Sequence, residues 1–203
     1  MKRLALLLLL AACAGKPVAS AAPPPAIWQK DVREADRKRL AGLWSAWTRS
    51  LAQVAAEGRT ADVQALGPVA DAEAARPAPP PAPGAYRCRD IRIGRREGMA
   101  DNLPTLAVAT FQPCTIRLDA GRLWLEQGPG MQRVAGPLYP DGDRQVFLGS
   151  MALAGEMAVM RYGADPDRNQ AGVLRAIGDR HWRLELPWPN WQANLHLIEI
   201  VPA

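Results

Sequence analysis

The C-terminal half of the chain is built from short segments in which apolar and polar residues alternate. Trp182, Leu184 and Leu186, for example, alternate with Arg183 and Glu185. Because successive side chains of a β-strand point to opposite faces, this period of two predicts strands with one buried and one wet face. Turn sequences separate the segments at Asp119-Ala120-Gly121, Gly128-Pro129-Gly130, Asp141-Gly142, Asp165-Pro166-Asp167 and Gly178-Asp179.

The spacing of these turns predicts about eight or nine strands between Tyr86 and Val201, with no long helical pattern between them. Strands joined by such short turns pair in an antiparallel meander. Exposed strand edges invite aggregation, and closure of the sheet removes them. The predicted fold is therefore mainly β, an antiparallel barrel or strongly curved meander formed by residues 85–203.

Residues 28–75 have a different, helical pattern. Asp31 is followed three residues later by Glu34, as in a capping box that begins a helix, and Gly58 stands where that helix would end. The helical segment must bury its apolar stripe, so we expect an amphipathic helix packed on the outside of the barrel or across one open end. The stripe consists of Leu40, Leu43, Trp44, Trp47, Leu51 and Val54.

A proline-rich stretch at 76–84 separates the helical segment from the β domain. Proline-rich sequences favour extended, stiff backbone, so we interpret this stretch as a linker. The chain then divides into a leader, a tether, the helical segment 28–75, the linker 76–84 and the β domain 85–203.

The N-terminus predicts export. Lys2 and Arg3 precede an apolar run at 4–12, which is too short for the roughly 20 residues that span a bilayer and is typical of a signal peptide over residues 1–12. The run ends in Leu-Ala-Ala-Cys, which resembles a bacterial lipobox. That resemblance implies a lipidated Cys13 and an outer-membrane anchor, and the small, proline-rich residues that follow predict a tether over 13–27. Cleavage after Ala21, leaving a soluble periplasmic protein, is the alternative.

Two cysteines remain in the predicted mature chain, Cys88 and Cys114. An even pair in an oxidising compartment predicts a disulfide, which would stabilise the fold by about 3 kcal/mol in the chain-entropy model. Metal binding by these two thiolates is a weaker interpretation. The sequence has no Cys-x-x-Cys, and both histidines lie far along the chain, so we expect no metal and no cofactor.

The net charge is +5, and it falls to +3 when Lys2 and Arg3 leave with the signal peptide. Export removes nucleic acid as a partner. A mildly basic envelope protein is expected to meet anionic lipid or an acidic protein instead.

Two surface features are candidates for partner binding. Arg87 and Arg89 belong to a basic cluster that also includes Arg92, and it is either an anion-facing patch or the charged face of an edge strand. Trp188 and Trp191 flank Pro189 and Asn190 before the last strand. They are either anchors for a partner, since tryptophan is enriched at binding hot spots, or the surface that receives the helical stripe.

No recognisable catalytic motif accompanies these features. We interpret His181 and His196 as structural, because catalysis requires a positioned partner that the sequence does not supply. Acidic pairs occur in turns at positions 141 and 143 and at 165 and 167. Aspartate commonly bonds the backbone of a turn, and this interpretation is favoured over Ca²⁺ binding or a hydrolase carboxylate pair.

The mature chain resembles a family of secreted Gram-negative proteins known as domain of unknown function 4893. The resemblance implies an envelope location and assigns no activity. Its residues are Ala35-Asp36-Arg37, Arg39-Leu40, Trp44, Trp47, Tyr86-Arg87-Cys88-Arg89, Gly136-Pro137-Leu138-Tyr139-Pro140-Asp141, Val146-Phe147-Leu148-Gly149 and Trp182-Arg183-Leu184.

A looser, architectural resemblance is to periplasmic inhibitor lipoproteins, which are small disulfide-bonded barrels. Tyr86-Arg87-Cys88 is similar to the Tyr-x-Cys that opens the lysozyme-inhibitor barrel, whereas the Ser-Gly and Tyr of that family's inhibitory loop are absent. Three functions follow as hypotheses. The first is a non-enzymatic binding module for a protein or an amphiphilic ligand. The others are an inhibitor of an envelope-damaging hydrolase and a hydrolase that uses loop carboxylates.

Overall fold

The computed structural model describes residues 27–98, 103–191 and 193–203. The predicted signal peptide at 1–12, the lipidation of Cys13, the cleavage alternative at Ala21 and the tether up to residue 26 lie outside the described residues. They therefore stay predictions.

The β domain is a closed antiparallel barrel of eight strands with one extra strand, as the alternating pattern predicted. Strands β3 to β9 follow one another around the barrel, and β1 closes it by pairing with both β3 and β9. The extra strand β2 pairs with β1 beyond the end of β3. The strands are β1 Gly84–Arg95, β2 Leu106–Val108, β3 Gln112–Asp119, β4 Arg122–Gln127, β5 Gln132–Asp141, β6 Arg144–Leu153, β7 Asn169–Gly178, β8 His181–Pro187 and β9 Ala193–Pro202.

The inside of the barrel is packed with side chains from every strand except β2. Phe147, Leu125, Leu184 and Ile198 are fully buried there. An eight-stranded barrel is just wide enough for its side chains to fill, so its middle is a core rather than a channel.

The helical segment wraps the outside of the barrel, which is one of the two places predicted for it. The α3 stripe covers β1, β8 and β9, where Trp47 and Val54 pack against Ile91 and Leu197. Helix α2 lies on β7, with Leu40 against the outer face of β5 to β7. The helices are α1 Trp28–Asp31, α2 Glu34–Ala41, α3 Leu43–Ala56 and α4 Thr60–Gln64, followed by a 3₁₀ helix Gly67–Ala70.

Two details of the helical prediction were wrong. Asp31 is the last residue of α1 and accepts a hydrogen bond from the Tyr139 hydroxyl at 2.9 Å. It therefore does not cap the start of a longer helix. The stripe is also interrupted at Gly42, and Trp44 is 61% exposed. A contact from Trp188 of the barrel explains why the stripe is interrupted. The Trp188 indole donates to the Gly42 carbonyl at 3.0 Å, and a Cβ at position 42 would lie 2.9 Å from the indole nitrogen.

The proline-rich linker lies against one end of the barrel, which we call the linker end. The Trp182 indole donates to the Pro79 carbonyl at 3.3 Å, and the Tyr86 hydroxyl donates to the Ala82 carbonyl at 2.7 Å. The antiparallel order places the β1–β2, β4–β5, β6–β7 and β8–β9 connections at the opposite end, which we call the mouth.

Candidate functional site

The inner face of β1 changes from apolar to polar as the strand approaches the mouth. Ile91 and Ile93 point outward beneath α3, so the alternation places Cys88, Asp90 and Arg92 inside. The register sets Asp90 opposite Ile198 and Arg92 opposite His196 on β9. Three polar side chains from two strands thus meet near the mouth.

Asp90 lies at the centre of a hydrogen-bonded group. Its Oδ1 atom is 2.7 Å from Nε2 of His196 and accepts a second bond from Nε2 of Gln127 at 3.1 Å. The Gln127 Oε1 atom accepts the backbone N–H of Val134 at 2.9 Å. Each of these side chains is therefore fixed by at least one partner.

The environment of Asp90 favours the ionised carboxylate. Burial alone would raise its pKa, but the hydrogen bond and charge of His196, the Gln127 bond and the charge of Arg92 together hold the pKa below its usual value. Asp90 is consequently a charged acceptor at neutral pH.

Arg92 is held more loosely than Asp90. Its Nη2 atom donates to Oε1 of Gln132 at 2.8 Å. No carboxylate in the described part of the chain forms an ion pair with it, whereas Arg89 pairs with Glu199 and Arg183 with Glu185. Because a guanidinium carries five N–H donors, most of the bonding capacity of Arg92 is unused.

Four of these side chains line a cavity of about 420 Å³, which we call the mouth pocket: Asp90, Arg92, Gln127 and Gln132. Its lining combines polar and apolar side chains, and it includes Cys88 of the disulfide and Met131, which is 78% exposed. The mouth pocket is lined by Cys88, Asp90, Arg92, Ala109, Thr110, Gln112, Pro113, Gln127, Gly128, Pro129, Gly130, Met131 and Gln132.

A second, apolar cavity of about 760 Å³ lies on the helical segment between α3 and the following short helices. Leu51, Val54 and Val63 line it, with Thr60 and Asp71 among the polar residues at its wall. We call it the helical groove.

The predicted disulfide is confirmed, and it joins β1 to β3 beside the mouth pocket. The two tryptophans predicted to bind a partner lie in different surroundings. Trp188 donates to the Gly42 carbonyl and packs with the helical stripe. Trp191 packs against the barrel core, and the Arg168 guanidinium stacks 5.4 Å from its ring. The structure thus places Trp188 where the helix-receiving interpretation expected it. A role in partner binding stays a prediction for both residues.

Arg87 and Arg89 lie on the outer face of β1, away from the mouth pocket. Both guanidinium groups stack on the Phe111 ring, at 5.4 and 4.8 Å, and Arg89 also bonds Glu199. The edge-strand interpretation of this cluster was wrong, because β1 is paired on both sides. Partner binding by Arg87 and Arg89 stays a prediction.

The loop carboxylates make local contacts. Asp165 accepts the backbone N–H of Asp167 at 2.9 Å, and Asp141 bonds both Arg144 and the Trp28 indole. His181 bonds Glu199 at 2.7 Å on the outer face. Among the residues described, no three of His, Cys, Asp and Glu are grouped so as to hold a metal ion, and no helix is long and apolar enough to cross a membrane.

Sequence reasoning missed the mouth pocket. Arg92 was grouped with the surface arginines and His196 was interpreted as structural, although the alternation with Cys88 already placed Asp90 and Arg92 on the inner face. No sequence pattern indicated that Gln127 and Gln132 lie near Asp90 and Arg92, since their positions depend on how β4 and β5 pair.

These features define a class of protein: a closed eight-stranded barrel with a disulfide, an outer helical wrap and a polar pocket at one end. The chain belongs to the family described as a domain of unknown function, DUF4893, whose profile matches residues 28–200. Neither a curated protein nor a solved structure matches it.

Proposed function

We propose that the protein is a non-enzymatic binding module of the bacterial envelope and that it holds an amphiphilic ligand in the mouth pocket. The observation that carries the proposal is the combination of polar and apolar side chains in the lining of one cavity of about 420 Å³. Ligand sites favour the mouths of barrels and combine apolar walls with a few fixed polar groups.

The polar wall suits the head of an amphiphile. Asp90 and Gln127 are fixed by their mutual bond, while Arg92 and Gln132 retain donors that face the cavity. Preorganised polar groups bind a ligand at a smaller entropic cost than mobile ones.

The apolar wall suits the hydrocarbon part. Ala109, Pro129 and Met131 supply apolar lining, and the Met131 carbonyl accepts the backbone N–H of Ala154 from the neighbouring loop. Met157, on that loop, is also fully exposed. Methionine is flexible and polarisable, so an exposed methionine can adapt to chains of different shape.

Binding is favoured over catalysis by how the ionisable groups are used. Asp90 positions His196 at 2.7 Å, as catalysis would require, but His196 is buried and does not line the mouth pocket, and the loop carboxylates bond nearby backbone or arginine groups. The N-terminal sequence supports an envelope location, because its charged start, short apolar run and Cys13 are typical of an exported lipoprotein.

The first test is native mass spectrometry of the protein extracted from its own membranes in mild detergent. A co-purifying amphiphile supports the proposal. A stoichiometric protein partner and no small molecule would overturn it in favour of a protein-binding or inhibitor function, for which the exposed Met157 and Met160 at the mouth would be the first residues to substitute.

The second test locates the site by substitution. Met131→Glu places a charge at the apolar rim and is expected to weaken binding of an eight-carbon detergent about tenfold or more, since burial of a methionine contributes about 1.5–3 kcal/mol. Leu118→Glu is the matched control, because Leu118 is 63% exposed on β3 and lies outside the pocket. Equal losses in both variants, or no loss in either, would place the ligand elsewhere.

A further inference from the structure

We infer that Arg92 recognises an anionic group, a carboxylate or a phosphate, at the head of the ligand. This inference rests on the proposed function, since it names the chemistry of the ligand that the mouth pocket would take.

The first argument is the bonding state of Arg92. One hydrogen bond, from Nη2 to Oε1 of Gln132, positions the guanidinium, and the described carboxylates form no ion pair with it. A guanidinium binds carboxylate or phosphate through two parallel N–H bonds, a geometry that an ammonium or an amide does not offer. Arg92 is thus oriented by a neutral partner, and although its charge also stabilises the ionised Asp90, no described carboxylate lies within ion-pair distance of its guanidinium.

The second argument concerns Asp90, the acidic residue nearest to Arg92 along the inner face of β1. An unscreened carboxylate beside the guanidinium would repel a second anion. The Oδ1 atom of Asp90 already accepts bonds from His196 and Gln127, which partly compensate its charge. An incoming anion can therefore bond the N–H groups of Arg92 that Gln132 does not use.

The third argument is the place of Arg92 in the cavity. Arg92 lines the mouth pocket and also a smaller cavity of about 200 Å³ that includes Gly94, Leu103 and Pro104. An anion bound at the guanidinium would still leave the apolar wall around Met131 free for the rest of the ligand. The lining thus offers a charged group for the head of an amphiphile and apolar side chains for its chain.

The experiment uses three eight-carbon probes with different heads: octanoate, octyl phosphate and octyl glucoside. Binding to the purified protein is measured by isothermal titration calorimetry at low ionic strength. We expect octanoate or octyl phosphate to bind at least tenfold more tightly than the neutral octyl glucoside. The anionic probe that binds more tightly identifies the head group of the ligand, a fatty-acid carboxylate or a phospholipid-type phosphate.

Arg92→Gln removes the charge and is expected to weaken binding of the preferred anion about 10- to 100-fold, as for loss of a charge-assisted hydrogen bond. The loss for octyl glucoside, whose head carries no charge to pair with the guanidinium, should be much smaller. Arg122→Gln is the control, because it removes the same charge from the outer wall, where Arg122 stacks 4.2 Å from the Tyr139 ring.

Gln132→Glu tests the same point with Arg92 in place. A carboxylate at position 132 would pair with the guanidinium and compete with the ligand, so anion affinity should fall while the protein stays folded. This variant keeps the inference testable even if Arg92→Gln does not fold. Unchanged anion affinity in Gln132→Glu, or equal losses for anionic and neutral probes in Arg92→Gln, would overturn the inference.

Failure of the inference and failure of the proposed function give different results. If all three probes bind equally and Arg92→Gln has no effect, the pocket binds amphiphiles without recognising an anion. If none of the probes binds at millimolar concentration, the proposed function fails, and the inference fails with it.

Discussion

Two polar clusters on the same barrel use the same residue types in opposite ways. The outer polar cluster consists of Arg183, Glu185 and Trp47, and it lies between β8 and α3. The other is the group around Asp90 and Arg92 at the mouth. Arg183 and Glu185 are entirely buried, whereas the Asp90 and Arg92 group faces a cavity.

The outer polar cluster has its donors satisfied. Arg183 donates from Nε and Nη2 to Glu185, and its Nη1 lies within hydrogen-bond distance of the carbonyls of Pro68, Val69 and Asp71. Trp47 donates to the other oxygen of Glu185 at 3.2 Å. This cluster therefore ties α3 and the 3₁₀ helix to the barrel wall.

Arg92, by contrast, makes a single bond to a neutral amide. A fully bonded buried arginine stabilises the position of its neighbours, while an arginine with unused donors at a cavity can bond a ligand. The contrast predicts that substitution of Arg183 damages stability and that substitution of Arg92 damages binding.

The largest expected effect is that of Arg183→Met. Removing the guanidinium leaves Glu185 buried without its ion-pair partner, and breaking a buried pair in this way costs about 3–5 kcal/mol. We expect the free energy of unfolding, measured with urea, to fall by that amount. The double variant with Glu185→Leu should recover much of the loss, because it removes the unpaired charge. A loss below about 1 kcal/mol in the single variant would contradict the structural role of the cluster.

A much smaller effect on stability is expected for Arg92→Met. Its single hydrogen bond contributes about 0.5–1.5 kcal/mol, and the aliphatic part of methionine replaces much of the packing of the arginine stem. The urea midpoint should therefore shift by far less than for Arg183→Met. A loss as large as that of Arg183→Met would show that Arg92 is structural and would remove the contrast between the clusters.

The alternating pattern was sufficient to predict the barrel because the period of two depends only on which face of each strand is buried. The alternation predicted the sheet, the even pair of cysteines in an exported chain predicted the Cys88–Cys114 disulfide, and the helical spacing predicted the wrap. It did not predict the interruption at Gly42, since a glycine is tolerated within a helical pattern. The deciding contact comes from Trp188, which lies far away in the sequence.

The candidate site was less predictable because its members come from four strands. The inward direction of Asp90 and Arg92 follows from alternation with Cys88, but a run of arginines resembles a solvated surface. Gln127 and Gln132 reach them from β4 and β5, beyond β3, and His196 reaches them only through closure of the barrel by β1 and β9. No local pattern in the sequence encodes that closure.

The smallest effect, and the one that examines the Asp90 cluster most directly, is a dependence of stability on pH. Because His196, Gln127 and Arg92 hold the folded-state pKa of Asp90 below its unfolded value of about 3.9, the ionised carboxylate stabilises the folded protein. This contribution is fully present above about pH 4 and is lost as the pH falls through the lower folded-state pKa. Urea unfolding of the wild type and Asp90→Asn from pH 2.5 to 6 should show the wild-type advantage shrinking only in the acid range. A difference in the free energy of unfolding that stays constant across that range would mean that folding does not favour the ionised Asp90. The charge of Asp90 would then contribute nothing to the stability of the fold.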